Sequence, residues 1–76
     1  MSEDLIARTI VSSSCIASAG YCTKTGTLEI ELKSGIVYRY HRVPSDIYRG
    51  LVSAESKGIF LNRFIKRRYA FTRMNS

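Results

Sequence analysis

Leu28, Ile30 and Leu32 alternate with Glu29 and Glu31 in the middle of the chain. A period of two puts the apolar residues on one side and the carboxylates on the other, the pattern of a half-buried strand over residues 27–33. Ser34-Gly35 interrupts it, and residues 36–42 (Ile-Val-Tyr-Arg-Tyr-His-Arg) are rich in β-formers. The two segments predict a hairpin whose register can be derived. A three-residue loop over Lys33, Ser34 and Gly35, with Gly35 supplying positive φ, sets Leu32 opposite Ile36. Ile30 then opposes Tyr38 and Leu28 opposes Tyr40, with all six side chains on one face. On the other face Glu29 opposes Arg39, an attractive cross-strand pair. A slip of one residue would set the tyrosines beside the glutamates, which burial disfavours. The tyrosine face is expected under helices, and the Glu29, Glu31, Arg39 face in water.

The flanking pattern supplies the remaining elements. Cys15 to Cys22 reads as a strand ending at the turn signal Thr23-Lys24-Thr25-Gly26. Before it, Ser12-Ser13-Ser14 is a polar break, and Leu5, Ile6, Ile10 and Val11 make residues 1–11 either a short edge strand or a poorly ordered lead-in. Val43-Pro44 closes the hairpin, because the residue before proline is pushed to extended geometry. Pro44 fits the first turn of a helix running to about Ala54, with Ile47, Leu51 and Ala54 on its buried stripe. Ser56 is the expected N-cap of a second helix over about 57–67. Phe60, Leu61, Phe64 and Ile65 line one side of that helix, and Arg63, Lys66 and Arg67 occupy i, i+3, i+4 on another. Tyr69, Phe71 and Arg73 alternate weakly with Ala70, Thr72 and Met74, enough for one more short strand. Strands followed by helices predict an α+β fold: an antiparallel three- to four-stranded meander with two C-terminal helices packed on one face.

Seventy-six residues make one small domain spanning 1–76, with a thin core. No apolar run approaches the ~20 residues that cross a bilayer. Met1-Ser2-Glu3-Asp4 is acidic and polar rather than the start of a signal segment, so the expected location is cytoplasmic. The net charge is +6, and its distribution matters more than its size. Residues 1–38 carry three basic against four acidic side chains, net −1, whereas residues 39–76 carry nine against two, net +7. Such a field attracts polyanions, nucleic acid or an acidic membrane surface, and otherwise keeps a small domain soluble.

These residues also carry a resemblance. Ser13-Ser14, Gly20-Tyr21, the Leu28–Leu32 alternation, Gly35 with Tyr38-Arg39-Tyr40, Val43-Pro44, Tyr48 with Leu51, and Ala54-x-Ser56-Lys57-Gly58 leading to Asn62 and Ile65 resemble, in order and spacing, the KTSC domain family. The family is named for the C-terminus of some lysyl-tRNA synthetases and also occurs as single-domain bacterial proteins. The resemblance implies a small domain of unknown activity, proposed to bind RNA from its placement on a synthetase. The synthetase body is absent here, so aminoacylation does not carry over. The family tends to carry an acid after the Gly-Tyr pair, where this chain has Cys22, so a turn hydrogen bond from that acid does not carry over either.

Candidate chemistry narrows to one surface. Tyr38 and Tyr40 invite comparison with base-stacking platforms, but the derived register turns them inward, and Glu29 and Glu31 on the opposite face repel phosphates. A basic surface from Arg63, Lys66, Arg67 and Arg68, joined by Arg73, Lys57, Arg42 and Arg49, suits phosphates better, with Tyr69 beside it as a stacking partner. Asn62 serves either a base edge or a turn cap. Four to six neutralised phosphates imply a salt slope of order −0.7 per contact on single strands. Ser56-Lys57-Gly58 reads as a cap or a site for one phosphate. Cys15, Cys22 and His41 are too few and too poorly spaced for zinc, and the two thiols read as small hydrophobes; no metal or cofactor is expected. His41 has no paired carboxylate or thiol nearby, and no nucleophile elbow or phosphate loop is present. The reading is a non-enzymatic nucleic-acid-binding module, RNA first, monomer or homodimer. The alternative is a protein-interaction module, or a small phage- or plasmid-type effector docking on an acidic partner, marked by an exposed edge or apolar patch at residues 5–11.

Overall fold

A computed structural model describes residues 6–11 and 13–75. Five strands form one antiparallel sheet in the order β1 to β5: β1 Thr9–Ile10, β2 Ile16–Cys22, β3 Thr27–Leu32, β4 Val37–Tyr40 and β5 Phe71–Arg73. Between β4 and β5 the chain forms α1, Ser45–Ser53, then α2, Lys57–Phe60, which runs directly into a π-helical turn, Leu61–Ile65. The class is α+β, as the sequence predicts. Both end segments pair, Thr9–Ile10 on β2 and Phe71–Arg73 on β4, so the meander has five strands rather than three or four. The part of the N-terminal expectation that concerns residues 1–5 lies outside the described residues.

The hairpin takes the derived register, with Leu28 opposite Tyr40, Glu29 opposite Arg39 and Ile30 opposite Tyr38. Gly35 has φ 98° in the connecting loop, and the Leu32 amide donates to the Ile36 carbonyl at 2.8 Å. Leu28, Ile30 and Tyr40 are buried with Ile16, Ala19, Val43, Leu51, Leu61 and Ile65, so the core lies between the tyrosine face and the helices. Each large apolar side chain enclosed there stabilises the fold by roughly 1.5–3 kcal/mol. β2 does not alternate cleanly because it carries a bulge: Ser18 pairs with Glu31 but Ile16 pairs with Leu32. The extra residue, Ala17, returns Ile16 to the core face. Cys15, expected inside this strand, precedes it.

Tyr21 secures α1. Its ring stacks on Tyr48 at 5.2 Å and 11°, and its hydroxyl donates to the Val43 carbonyl. Pro44 stands one place earlier than expected, as the N-cap, with φ −63° and ψ 149°. Ser56 caps α2 as predicted, its Oγ accepting from the Ile59 amide at 3.4 Å. The single helix expected over 57–67 is shorter and changes type. The Lys66 amide reaches back five residues to the Leu61 carbonyl, 2.8 Å away. Leu61 and Ile65 enter the core, but Phe64, expected on the apolar side, is exposed, with its ring 4.8 Å from Phe60. A 3.6-residue period does not describe a turn closed by i→i+5 bonds, so side chains within it leave the positions that period assigns.

The polar sheet face departs from expectation at its centre. Glu29 is only 7% exposed. Residues 6–8 cross this face over Gly20, where a β-carbon would collide with the Ala7 carbonyl. Arg8 Nε lies 3.2 Å from one Glu29 oxygen, and Arg39 Nε donates to the other at 2.7 Å. Buried Ser18 donates through Oγ to Glu31 at 2.8 Å. A lone carboxylate would resist removal from water, whereas one held between two guanidinium groups tolerates it.

Replacing Glu29 by Ala strands two guanidinium groups at a covered surface and should cost about 2–4 kcal/mol in urea denaturation. Arg8→Ala leaves Glu29 bonded to Arg39 and, with Arg8 the more solvated partner, should cost less than about 1 kcal/mol; equal losses would contradict the arrangement. Burial first, and then neighbouring Tyr38, raises the Tyr40 phenol above its ordinary pKa of 10.0. The folded state thus holds the neutral phenol while the unfolded chain ionises it first, so this contribution is intact below pH 10.0 and lost as pH rises through the folded value. Tyr40→Phe should fall in stability less steeply than wild type above that pH; parallel curves would contradict it.

Candidate nucleic-acid interface

The C-terminal edge of the sheet positions the candidate groups. Pairing of β5 on β4 sets Tyr40 opposite Phe71 and Tyr38 opposite Arg73, so Phe71 and Arg73 share the tyrosine face. Thr72 falls on the other face, where its hydroxyl meets His41 Nε2 at 2.8 Å. The end of β5 is clipped down: the Met74 amide donates to Val37, and the Asn75 side chain donates to the Gly35 carbonyl and accepts from the Val37 amide, at 2.7 and 2.9 Å. The Phe71 ring stands perpendicular to Tyr38 at 5.3 Å and tilted to Tyr40 at 5.8 Å. The helices do not cover it, and Phe71 remains 55% exposed.

Two depressions meet beside this ring. One of about 520 Å³ is lined by Asn62, Lys66, Arg67 and Phe71. The other, about 260 Å³, shares Asn62 and Lys66 and continues past Leu61 to Tyr38, Tyr40, Leu32, Gly58 and Cys15. Together they form a groove between the π-helical turn and the β4–β5 edge. Its walls contain two cations, one amide and an aromatic cluster, and neither depression is lined by Asp or Glu. Among the described residues the ion pairs within 4 Å are those of Arg8 and Arg39 with Glu29. Asp46 and Glu55 thus form no such pair with the late cations.

The structure brings together only part of the predicted set. Lys66 and Arg67 line the groove, and Arg73 shares a strand face with Phe71 two residues away. Arg63 and Arg68 are exposed but line neither depression; Arg68 Nε donates to the Arg63 carbonyl at 3.4 Å. Lys57 sits apart, beside Thr9, Ile10 and Val52 at the β1 end of the sheet, with its ammonium donating to the Ala54 carbonyl at 2.9 Å. Arg42, at φ 57°, and Arg49 are exposed in the β4–α1 connection and on α1. Tyr69, proposed as the stacking ring, packs against the core. Phe71 takes the exposed position instead, and the weak alternation of residues 69–74 was the only signal for it.

The other candidates resolve simply. Ser56 is a helix cap, and Cys15 is an exposed thiol at the end of the smaller depression. The turn after β2 is closed by backbone, the Gly26 amide donating to the Cys22 carbonyl at 2.8 Å, with no acid required. Among the described residues no group of three or more His, Cys, Asp or Glu stands ready for a metal. No helix among them is long and apolar enough to cross a membrane.

Comparison with known proteins matches this architecture. The family model for the KTSC domain covers residues 12–69. A lysine–tRNA ligase of Nostoc punctiforme is 42% identical over 62 residues, which are 82% of this chain and only 11% of the ligase. An uncharacterized protein of Stutzerimonas stutzeri is 37% identical over 59 residues, spanning 78% of this chain and 83% of its own length. The crystal structure of a KTSC domain protein from Yersinia pestis superposes with a TM-score of 0.87 at 35% identity, covering 93% of this chain and all of that one (100%). In sequence and in backbone alike, the chain belongs to the KTSC domain family.

Proposed function

We propose that this domain is a non-enzymatic nucleic-acid-binding module, RNA first, acting in the cytoplasm. Lys66 and Arg67 take phosphates along the groove, and Arg63, Arg68 and Arg73 extend the field at its rim. The observation that carries the reading is an exposed aromatic ring beside two cations that, among the described residues, pair with no carboxylate. Phosphate contacts supply most of the affinity of such a surface and make it salt-dependent. Similarity to a part of lysine–tRNA ligases, proteins named for a tRNA substrate, favours RNA over DNA.

Binding of a short fluorescent RNA, followed by anisotropy across a salt series, tests the reading. Exchanging Lys66 and Arg67 together for Gln should weaken binding at least ~10-fold at low salt and flatten the log–log salt slope by roughly 1.4, two contacts at 0.7 each. Lys57→Gln, on the far side of the helical layer, should stay within about twofold of wild type. Wild-type affinity in the double variant would discard the groove as the phosphate site. A chain that ignores RNA and scatters light as a defined dimer would instead favour the protein-interaction reading, for which Ile10, 87% exposed on the β1 edge, is the available anchor.

A further inference from the structure

We infer that the groove takes an unpaired nucleotide from a single strand, with its base laid against Phe71 and its phosphate on Lys66 and Arg67. This rests on the reading that the domain binds nucleic acid and adds which form it binds and how. Phe71 packs on two rings of β4, Tyr38 at 5.3 Å and Tyr40 at 5.8 Å, which limits the side-chain freedom lost when something stacks on it. The exposed part of the ring lines the larger depression. The wall facing it comes from the π-helical turn and its C-cap, which present the Asn62 amide and the Lys66 ammonium.

This composition is selective. A mostly apolar recess with few polar groups suits a flat heterocycle with an anionic tail, since base–aromatic stacking accepts any base and the cations hold the backbone. A paired base is already stacked on both faces and offers only its edges to a protein. It cannot reach a ring set between a helical turn and a strand unless it leaves the duplex. Unpaired bases in loops and ends can turn outward and enter. An open sheet platform would not discriminate so strongly, but here helices cover the middle of the sheet's tyrosine face, and Phe71 is reached from its β5 margin.

Three probes separate this inference from the broader reading: a single strand, a blunt-ended duplex of the same sequence with no unpaired base, and an abasic strand that keeps the phosphates and lacks the bases. The wild-type chain should bind the single strand roughly 5- to 150-fold more tightly than the abasic strand, the range expected for one stacked base, and more tightly than the duplex. Phe71→Leu keeps an apolar side chain on β5 without a π-face. It should erase the preference over the abasic strand, and Phe71→Tyr should retain the preference. Equal wild-type affinity for all three probes, with loss on exchanging Lys66 and Arg67 for Gln, would overturn the inference and leave the phosphate reading standing. No binding to any of the three would overturn both.

Discussion

Glu29 lies under a crossing segment of backbone, bridged by Arg39 from the neighbouring strand and Arg8 from the chain above. A buried carboxylate tolerates almost no displacement, because moving it by one residue would carry it into the apolar core. The pair thus holds β3 and β4 in the register that turns Tyr38 and Tyr40 toward the helices. That register in turn sets where β5 can dock, and Phe71 reaches the tyrosines only because β5 pairs with β4 opposite them. The groove at the C-terminal edge is a consequence of an ion pair on the other side of the sheet. The basic residues divide accordingly: Arg8 and Arg39 hold Glu29 and Arg73 Nε donates to the Asn75 carbonyl at 2.7 Å, while Lys66 and Arg67 line the groove.

Several of the residues that mark the chain as a KTSC domain act on architecture. Gly20 lets the N-terminal segment cross the sheet, Tyr21 ties Tyr48 and Val43 together, and Ser56 caps the second helix. A β-carbon at Gly58 would press on the Cys15 sulfur, so that position holds the helix start close to the sheet. These contacts fix how the helical layer sits on the strands. The groove is built differently, from the last helical turn and a strand past residue 69, where the family match ends. Asn62, Lys66 and Arg67 lie within the matched span, whereas Phe71 and Arg73 lie beyond it.

The hairpin was legible because alternation, a turn glycine and a complementary charge pair all specify one register. The burial of Glu29 was not, because what covers it comes from residues 6–8, whose path no local pattern encodes. The π-helical turn escaped for a related reason: Leu61 and Ile65 satisfy an α-helical stripe equally well, so the apolar pattern does not distinguish the two helix types. Its effect falls on the candidate site, since grouping Arg63 with Lys66 and Arg67 assumed a regular helix, and Arg63 lines neither depression. Tyr69 and Phe71 exchange roles because the turn after the helix brings Tyr69 back onto the core before β5 begins. The basic character of the C-terminal half was readable from composition, but its separation into a groove, a rim and a distant Lys57 needed three dimensions.

The most direct test of the account is a residue-resolved NMR titration of the intact chain with a short single-stranded RNA, following backbone amides together with the aromatic ring signals. The account predicts that shifts concentrate at Asn62, Lys66, Arg67, Phe71 and Arg73, with the Phe71 ring protons moving upfield as a base stacks on them, while Ile10 and Lys57 stay still. Shifts centred on the β1 edge, or spread evenly over every exposed cation with the Phe71 ring unmoved, would contradict it.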